Sequence, residues 1–222
     1  DTAGGSAKDA PAEGTPAQRT IWETVKHHFA VSACILQKDA RIGKIIGFYS
    51  VVFAAHTLLF FYSQQYFADF GYNKVQISVI MLLVGGASCL GALASAKMYR
   101  RFGKRCLIPE TVIIAAAILC YGSEKAGVAA AALMCAGFAN AALYPVQSDS
   151  LNALIPSEQR ATLISVDSMC FSIAMIVLFP LAGAFADRWG LKTVLLLLGA
   201  ILLLFLLTVF CIEKESFSSD HS

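Results

Sequence analysis

From about residue 45 the chain alternates long apolar runs with short polar connectors, giving six runs: 45–67, 76–96, 107–122, 127–148, 162–186 and 191–212. A helix needs about 20 apolar residues to cross the hydrocarbon core of a bilayer, and most of these runs meet that length, the third being the shortest. Runs this apolar joined by connectors this short predict helices, since a helix satisfies its own backbone groups where no water is present. Upstream the pattern differs. Residues 1–17 are rich in Gly, Ala, Pro and charge and read as a polar linker too poor in apolar side chains to order itself. Over 18–40, Ile21, Val25, Phe29 and Ser32 fall at helical spacing among Arg19, Glu23, Lys26, His27 and His28, which predicts an amphipathic helix on a membrane surface. Adjacent helical residues point about 100° apart, so His27 and His28 read as a solvated face and not as a metal pair. Residues 41–212 are then one transmembrane domain and 213–222 a tail.

Composition agrees with that reading: 57% of the 222 residues are hydrophobic and 14% charged, against about 45–50% and about 25% in soluble domains. The net charge of +2 matters less than where the charges lie. Lys38, Arg41, Lys44, Lys97, Arg100, Arg101, Lys104, Arg105, Arg160 and Lys214 gather on one side; only Lys74, Lys125, Arg188 and Lys192 fall on the other. The positive-inside tendency predicts cytoplasmic termini and a cytoplasmic 97–105 loop, in a multi-pass protein of the cell membrane. The cysteines form no CxxC pair and mostly sit within apolar runs, as small packing residues do. Beginning at Asp1 and not Met, the chain reads as part of a longer polypeptide.

Polar side chains recur inside four of the six runs. Tyr49, His56 and Ser63 repeat every seven residues in the first, with Gln64 and Gln65 at its end. Asn140, Tyr144 and Gln147 follow i, i+4, i+7 in the fourth, interrupted by Pro145, and Ser165, Ser168 and Ser172 with Asp167 mark the fifth. Polar groups are costly in hydrocarbon, so such stripes predict a polar cavity lined by Tyr49, His56, Ser63, Gln64, Asn140, Tyr144, Gln147, Ser168 and Ser172. Interhelical hydrogen bonding without a solute path is the alternative for any one serine. The nearly featureless third and sixth runs are expected at the periphery. His56, Asp149 and Asp167 are the candidates for proton coupling: histidine changes charge near neutral pH, and intramembrane carboxylates mark proton paths. Glu110, beside Pro109, suits a helix N-terminus. Ala87, Gly91 and Ser95, four residues apart, let a neighbouring helix approach closely.

Two segments repeat at a distance of ninety-two positions. One runs from Gly91 through Ser95, Lys97, Arg100, Arg101, Phe102, Gly103, Lys104 and Arg105; the other is Gly183-Ala-Phe-Ala-Asp187-Arg188-Trp189-Gly190-Leu191-Lys192. Each lies between the second and third runs of a group of three, and an odd number of spans per copy turns the second copy upside down. The fold class is therefore an all-α membrane protein of six helices in a 3+3 inverted repeat.

These segments resemble the major facilitator superfamily of transporters. Gly183-x3-Asp187-Arg188-x-Gly190-x-Lys192 is similar to that superfamily's GxxxDRxGx(K/R) loop, and Gly91 to Arg105 resembles its looser copy, with Ser95 where Asp is common. Ile155 to Ser165 and Leu178 to Gly183 are similar to its tenth-to-eleventh helix connection and its eleventh-helix end. The resemblance implies the C-terminal six-helix half, preceded by the central cytoplasmic loop and completed by an N-terminal half of the same polypeptide. It implies a secondary active transporter moving a small solute by alternating access, proton-coupled efflux by an antiporter among the options. Gly91, Arg101, Gly103, Arg105, Asp187, Arg188 and Gly190 are then candidate gating-loop residues. The lipid bilayer and a small-molecule substrate are the expected partners, with no nucleic acid, cofactor or metal. No HExxH pair or nucleophile–base arrangement points to an enzyme; a six-helix adaptor or channel-like subunit is the alternative.

Overall fold

The computed structural model describes residues 40–103, 107–154 and 160–219, which are helical apart from short turns. The helices are α1 (Ala40–Asp69), α2 (Lys74–Phe102), α3 (Leu107–Cys120), α4 (Ala126–Asn152), α5 (Arg160–Trp189) and α6 (Leu191–Ser219), with a 3-10 turn at Tyr121–Ser123. The linker and most of the surface helix expected over 1–40 lie outside the described residues, as do Lys104, Arg105 and 155–159.

Five helices are long and apolar enough to span a bilayer, and α3 is a shorter apolar helix of 14 residues. Each long helix outruns its apolar stretch. At 1.5 Å per residue the 30 residues of α1 reach about 45 Å, beyond a hydrocarbon core of about 30 Å. The end turns stay helical because their polar side chains reach water while the backbone keeps its bonds. Asp149 consequently lies within α4, Arg100 and Arg101 within α2, and residues 213–219 continue α6 as helix, where a tail was expected. Pro145 and Pro180 sit inside α4 and α5, so neither helix ends at its proline.

Local chemistry sets the ends. Asn73 opens α2 with a capping box: its side chain accepts from the Gln76 N–H, and the Gln76 side chain accepts from the Asn73 N–H, both at 2.9 Å. Gly103 at φ +58 closes α2, and Gly190 at φ +84 separates α5 from α6 while its N–H bonds the Ala186 carbonyl at 2.8 Å. A left-handed φ strains any residue with a Cβ, so these two turns explain the paired glycines of the repeated segments.

α2 packs along α4; α3 packs on α4 and α6; α1 touches α4, α5 and α6. Exchanging α1, α2 and α3 for α4, α5 and α6 turns the α2–α4 contact into α5–α1 and α3–α4 into α6–α1, and returns α1–α4 and α3–α6 to themselves. The α5–α6 contact has no α2–α3 counterpart of like extent.

The main core joins α1, α3, α4 and α6 through Val52, Leu59, Phe67, Ile114, Ile118, Leu133, Leu143, Leu195 and Leu202. A smaller cluster ties Ile42 and Ile46 of α1 to Leu151 of α4 and to Leu163 and Val166 of α5. The expectation that the third and sixth spans are peripheral holds on one face only: α3 buries Ile114, Ala115 and Ile118 completely. The helices with the most exposed apolar faces are instead α2 (Val75, Leu82, Leu90, Leu93) and α5 (Ile164, Ile173, Ile176, Val177). Lipid-facing and protein-facing apolar side chains are chemically alike, so apolarity alone does not tell them apart.

Candidate functional site

α4 and α5 flank α1, and near the basic end they are bridged by a hydrogen bond from Gln147 Nε2 to Asp167 Oδ1 at 2.8 Å. Beside that bridge lies a cavity of about 90 Å3 lined by Tyr144, Gln147, Ser148, Leu151 and Asn152 of α4 and Leu163, Ile164, Asp167 and Ser168 of α5. At about 30 Å3 per water it holds roughly three. Helical periodicity aligns Tyr144, Ser148, Leu151 and Asn152 at i, i+4, i+7 and i+8 on one side, and Ile164, Asp167 and Ser168 at i, i+3 and i+4 on the other. Gln147 is 2% exposed, Asp167 half-buried, and Tyr144 63% exposed at the rim.

Tyr144, Gln147, Asp167 and Ser168, expected from the sequence, are thus together; Ser148 and Asn152 join them. The signal for the last two was the same α4 stripe, cut short where the apolar run ended at 148. The Asn152 side chain reaches the Ser148 hydroxyl at 3.4 Å.

A second polar level lies about two turns away. Ile46 beside Leu151, and Tyr66 donating to the Tyr121 carbonyl, show that α1 and α4 run antiparallel, and the Phe53 and Tyr144 rings at 6.0 Å fix their register. His56, three residues beyond Phe53, therefore stands level with Asn140, four before Tyr144. His56 Nε2 and Asn140 Oδ1 are both buried without a hydrogen-bond partner among the described residues, and so is Ser50 Oγ, level with Gln147. Buried polar atoms are nearly always paired, which sets these three apart from the rest of the helix interior.

Other expected lining residues do something else. Ser63 is fully buried, its hydroxyl bonded to the Leu59 carbonyl and, at 2.6 Å, to the Tyr121 hydroxyl. Two turns beyond His56 along α1, it meets the 3-10 turn that follows α3 and does not line the cavity. Tyr49 is 2% exposed and packs its ring edge-on against Phe48 and near Phe53 in the core. Gln64 is exposed at the far end of α1, and Ser172 bonds back to the Ser168 carbonyl at 2.8 Å on an exposed face. Asp149 is exposed and outside the cavity lining. Glu110, expected merely to suit a helix start, is 2% exposed with Oε2 unpartnered among the described residues.

The candidate gating residues divide. Gly91 lies deep in α2, where a Cβ would overlap the backbone carbonyl of Phe138 in α4, so it is a packing residue and not part of a loop. Arg101 is exposed at the end of α2 with its guanidinium over the Phe102 ring, and Gly103 makes the turn. Asp187 and Arg188 are exposed in the last turn of α5, Gly190 is the single residue between helices, and Arg105 is not described. Lys192 instead reaches back to Glu124 at 2.5 Å, pairing the α3–α4 turn with the start of α6. The Lys192 hydrogen bond and charge hold the Glu124 carboxyl below the usual carboxylate range.

Among the described residues no three His, Cys, Asp or Glu side chains gather as a metal site. No curated protein and no solved structure matches the chain. Residues 111–220, which include the whole cavity, match the family model described as Major Facilitator Superfamily. With its apolar helices of spanning length, the chain belongs to the Major Facilitator Superfamily and is a multi-pass membrane protein of that family of transporters.

Proposed function

We propose that the chain is one six-span half of a secondary active transporter, a 3+3 inverted repeat that works with a second six-helix half of the same polypeptide. Its basic 97–105 segment and both termini face the cytoplasm of a cell-membrane protein. The exchange of helix contacts between α1–α3 and α4–α6 supports the repeat. Alternating access then rocks the two halves about a small-solute site near their interface.

The observation that carries the reading is the half-buried Asp167 carboxylate facing a cavity between two membrane helices, held there by a neutral amide. Ion-capable groups at such depth are costly and mark solute or proton paths. Of the three candidates for proton coupling, Asp167 lines the cavity, His56 stands at the second polar level, and Asp149 is exposed to one side. Proton uptake on Asp167 and release across the membrane would drive solute the other way.

The test is uptake by the full-length polypeptide in proteoliposomes under an imposed pH gradient. Asp167→Asn should abolish gradient-driven accumulation while leaving downhill exchange; Asp149→Asn should change neither. Accumulation by Asp167→Asn equal to wild type would remove the coupling role. Absence of any solute flux in the wild type would favour an adaptor.

A further inference from the structure

We propose that the α4–α5 cavity binds the positively charged head of an organic cation, with the Asp167 carboxylate as counter-charge and the Tyr144 ring as the face it rests on. This deepens the transporter reading and rests on it for the cavity's place in a solute path.

The charge balance of the cavity selects the sign. Its lining holds one carboxylate and no lysine, arginine or histidine. Asp167 accepts from an amide, and no cation pairs with it among the described residues. A carboxylate partly removed from water with only a neutral donor beside it favours a cation and repels an anion.

The walls select the kind of cation. A bare metal ion asks for about six oxygen ligands in a closed shell. Here Leu151, Leu163 and Ile164 make up much of the lining, and they cannot replace a metal's water. An ammonium carrying carbon substituents matches both halves of the wall: charge toward Asp167, hydrocarbon toward the leucines. Tyr144 adds the third element. Its ring is exposed at the rim, tilted against Phe53 at 6.0 Å, which leaves a face free for a cation within about 6 Å.

Size limits how much of the ligand enters. Sites that enclose a whole drug-sized molecule are about 300–1,000 Å3. A cavity of about 90 Å3 takes the head group alone, and the remainder lies past Tyr144 toward the exposed side of α5.

The experiment is equilibrium dialysis of the full-length polypeptide in lipid nanodiscs against benzyltrimethylammonium and its uncharged isostere neopentylbenzene, in which carbon replaces the charged nitrogen. The cation should bind at least about tenfold more tightly than the isostere. Asp167→Asn should cut cation affinity about tenfold without changing the isostere, and Asp167→Glu should restore part of it. Tyr144→Phe should bind as wild type, whereas Tyr144→Leu should lose severalfold. Equal binding of cation and isostere by the wild type overturns the proposal, and so does wild-type cation affinity in Asp167→Asn. If Asp167→Asn fails to fold, wild-type affinity in Tyr144→Leu overturns it. Transport by the full-length protein of a solute lacking positive charge, with no cation binding here, sinks this site and spares the transporter reading. Cation binding with no transport of any kind does the reverse.

Discussion

The α2–α4 and α1–α5 interfaces are counterparts under the exchange of the two helix triplets, yet they are built from opposite materials. Along α2–α4 the contact residues are small. Gly91 touches the backbone of Phe138, Gly137 faces Ser88 and Val84, and the buried Ser95 hydroxyl donates to the Ala142 carbonyl at 2.7 Å. Along α1–α5 they are large. Phe179 stacks on Tyr62 at 5.4 Å and meets Phe61 edge-on at 5.7 Å, while the Tyr62 hydroxyl reaches the Phe179 carbonyl at 3.2 Å. Without a hydrophobic force between helices in lipid, close backbone approach is what binds them, and small residues permit it. The α2–α4 pair is therefore a rigid wall. α5 meets α1 through the aromatic contact at one level and through Leu163 and Val166 near its start, where the Asp167 cavity also lies. The helix held by the larger side chains, α5, is also the one that lines the cavity, across from α4.

The sharpest way to break that contrast is to add the same methyl group to each interface. A Cβ at Gly91 would lie 2.9 Å from the Phe138 carbonyl carbon, and backbone cannot yield as a side chain can. Gly91→Ala should cost about 2–3 kcal/mol, at the upper end of overpacking. A Cβ at Gly183 would meet only the Tyr62 hydroxyl, at 3.2 Å, and that ring tip can shift. Gly183→Ala should stay within about 0.5 kcal/mol of wild type. Thermal unfolding in detergent compares them; equal losses would show that the two interfaces are equally tight.

Next in size is the hydrogen bond that each interface makes across its helices. Ser95→Ala removes a fully buried donor and should cost about 0.6–1 kcal/mol. Tyr62→Phe removes a longer, part-buried bond while keeping the ring stack, and should cost less than about 0.5 kcal/mol. Its signature is local: faster hydrogen exchange over residues 177–183 with the rest of the protein unchanged. A global loss of protection would mean that α5 is no looser than α2.

The same contrast explains what was legible beforehand. The Ala87–Gly91–Ser95 stripe announced its interface because small residues in an apolar run have few other uses. Gly103 and Gly190 announced their turns because only glycine takes a left-handed φ without strain. The α4 stripe gave Tyr144 and Gln147 because helical spacing fixes a face. What stayed hidden depends on the partner helix. Nothing in α1 says that Ser63 meets the Tyr121 hydroxyl, or that Tyr49 packs inward while His56 Nε2 finds no partner among the described residues. Apolarity likewise could not reveal that α2 and α5, and not α3 and α6, expose the larger faces. Helix ends were misjudged because hydropathy stops where the hydrocarbon does, and the backbone continues.

The smallest effect belongs to the ion pair beside the C-terminal end of α5. Through Gly190 that end joins Lys192, which pairs with Glu124 on the turn leading into rigid α4. Both side chains are largely solvated, at 43% and 64% exposure, so water and salt screen the pair and it adds little to stability. Its pH dependence has a definite sign. The Lys192 contact lowers the Glu124 carboxyl below its unfolded value, so the contribution is complete above the unfolded value of about 4.3 and fades as pH falls through the folded one. Glu124→Gln should therefore melt marginally below wild type at neutral pH, converge with it in acid, and lose the difference in high salt. Hydrogen exchange near residues 185–190 should rise in Glu124→Gln and rise further in the double variant with Tyr62→Phe. If the double variant exchanges no faster than Tyr62→Phe alone, the aromatic contact holds that end of α5 unaided.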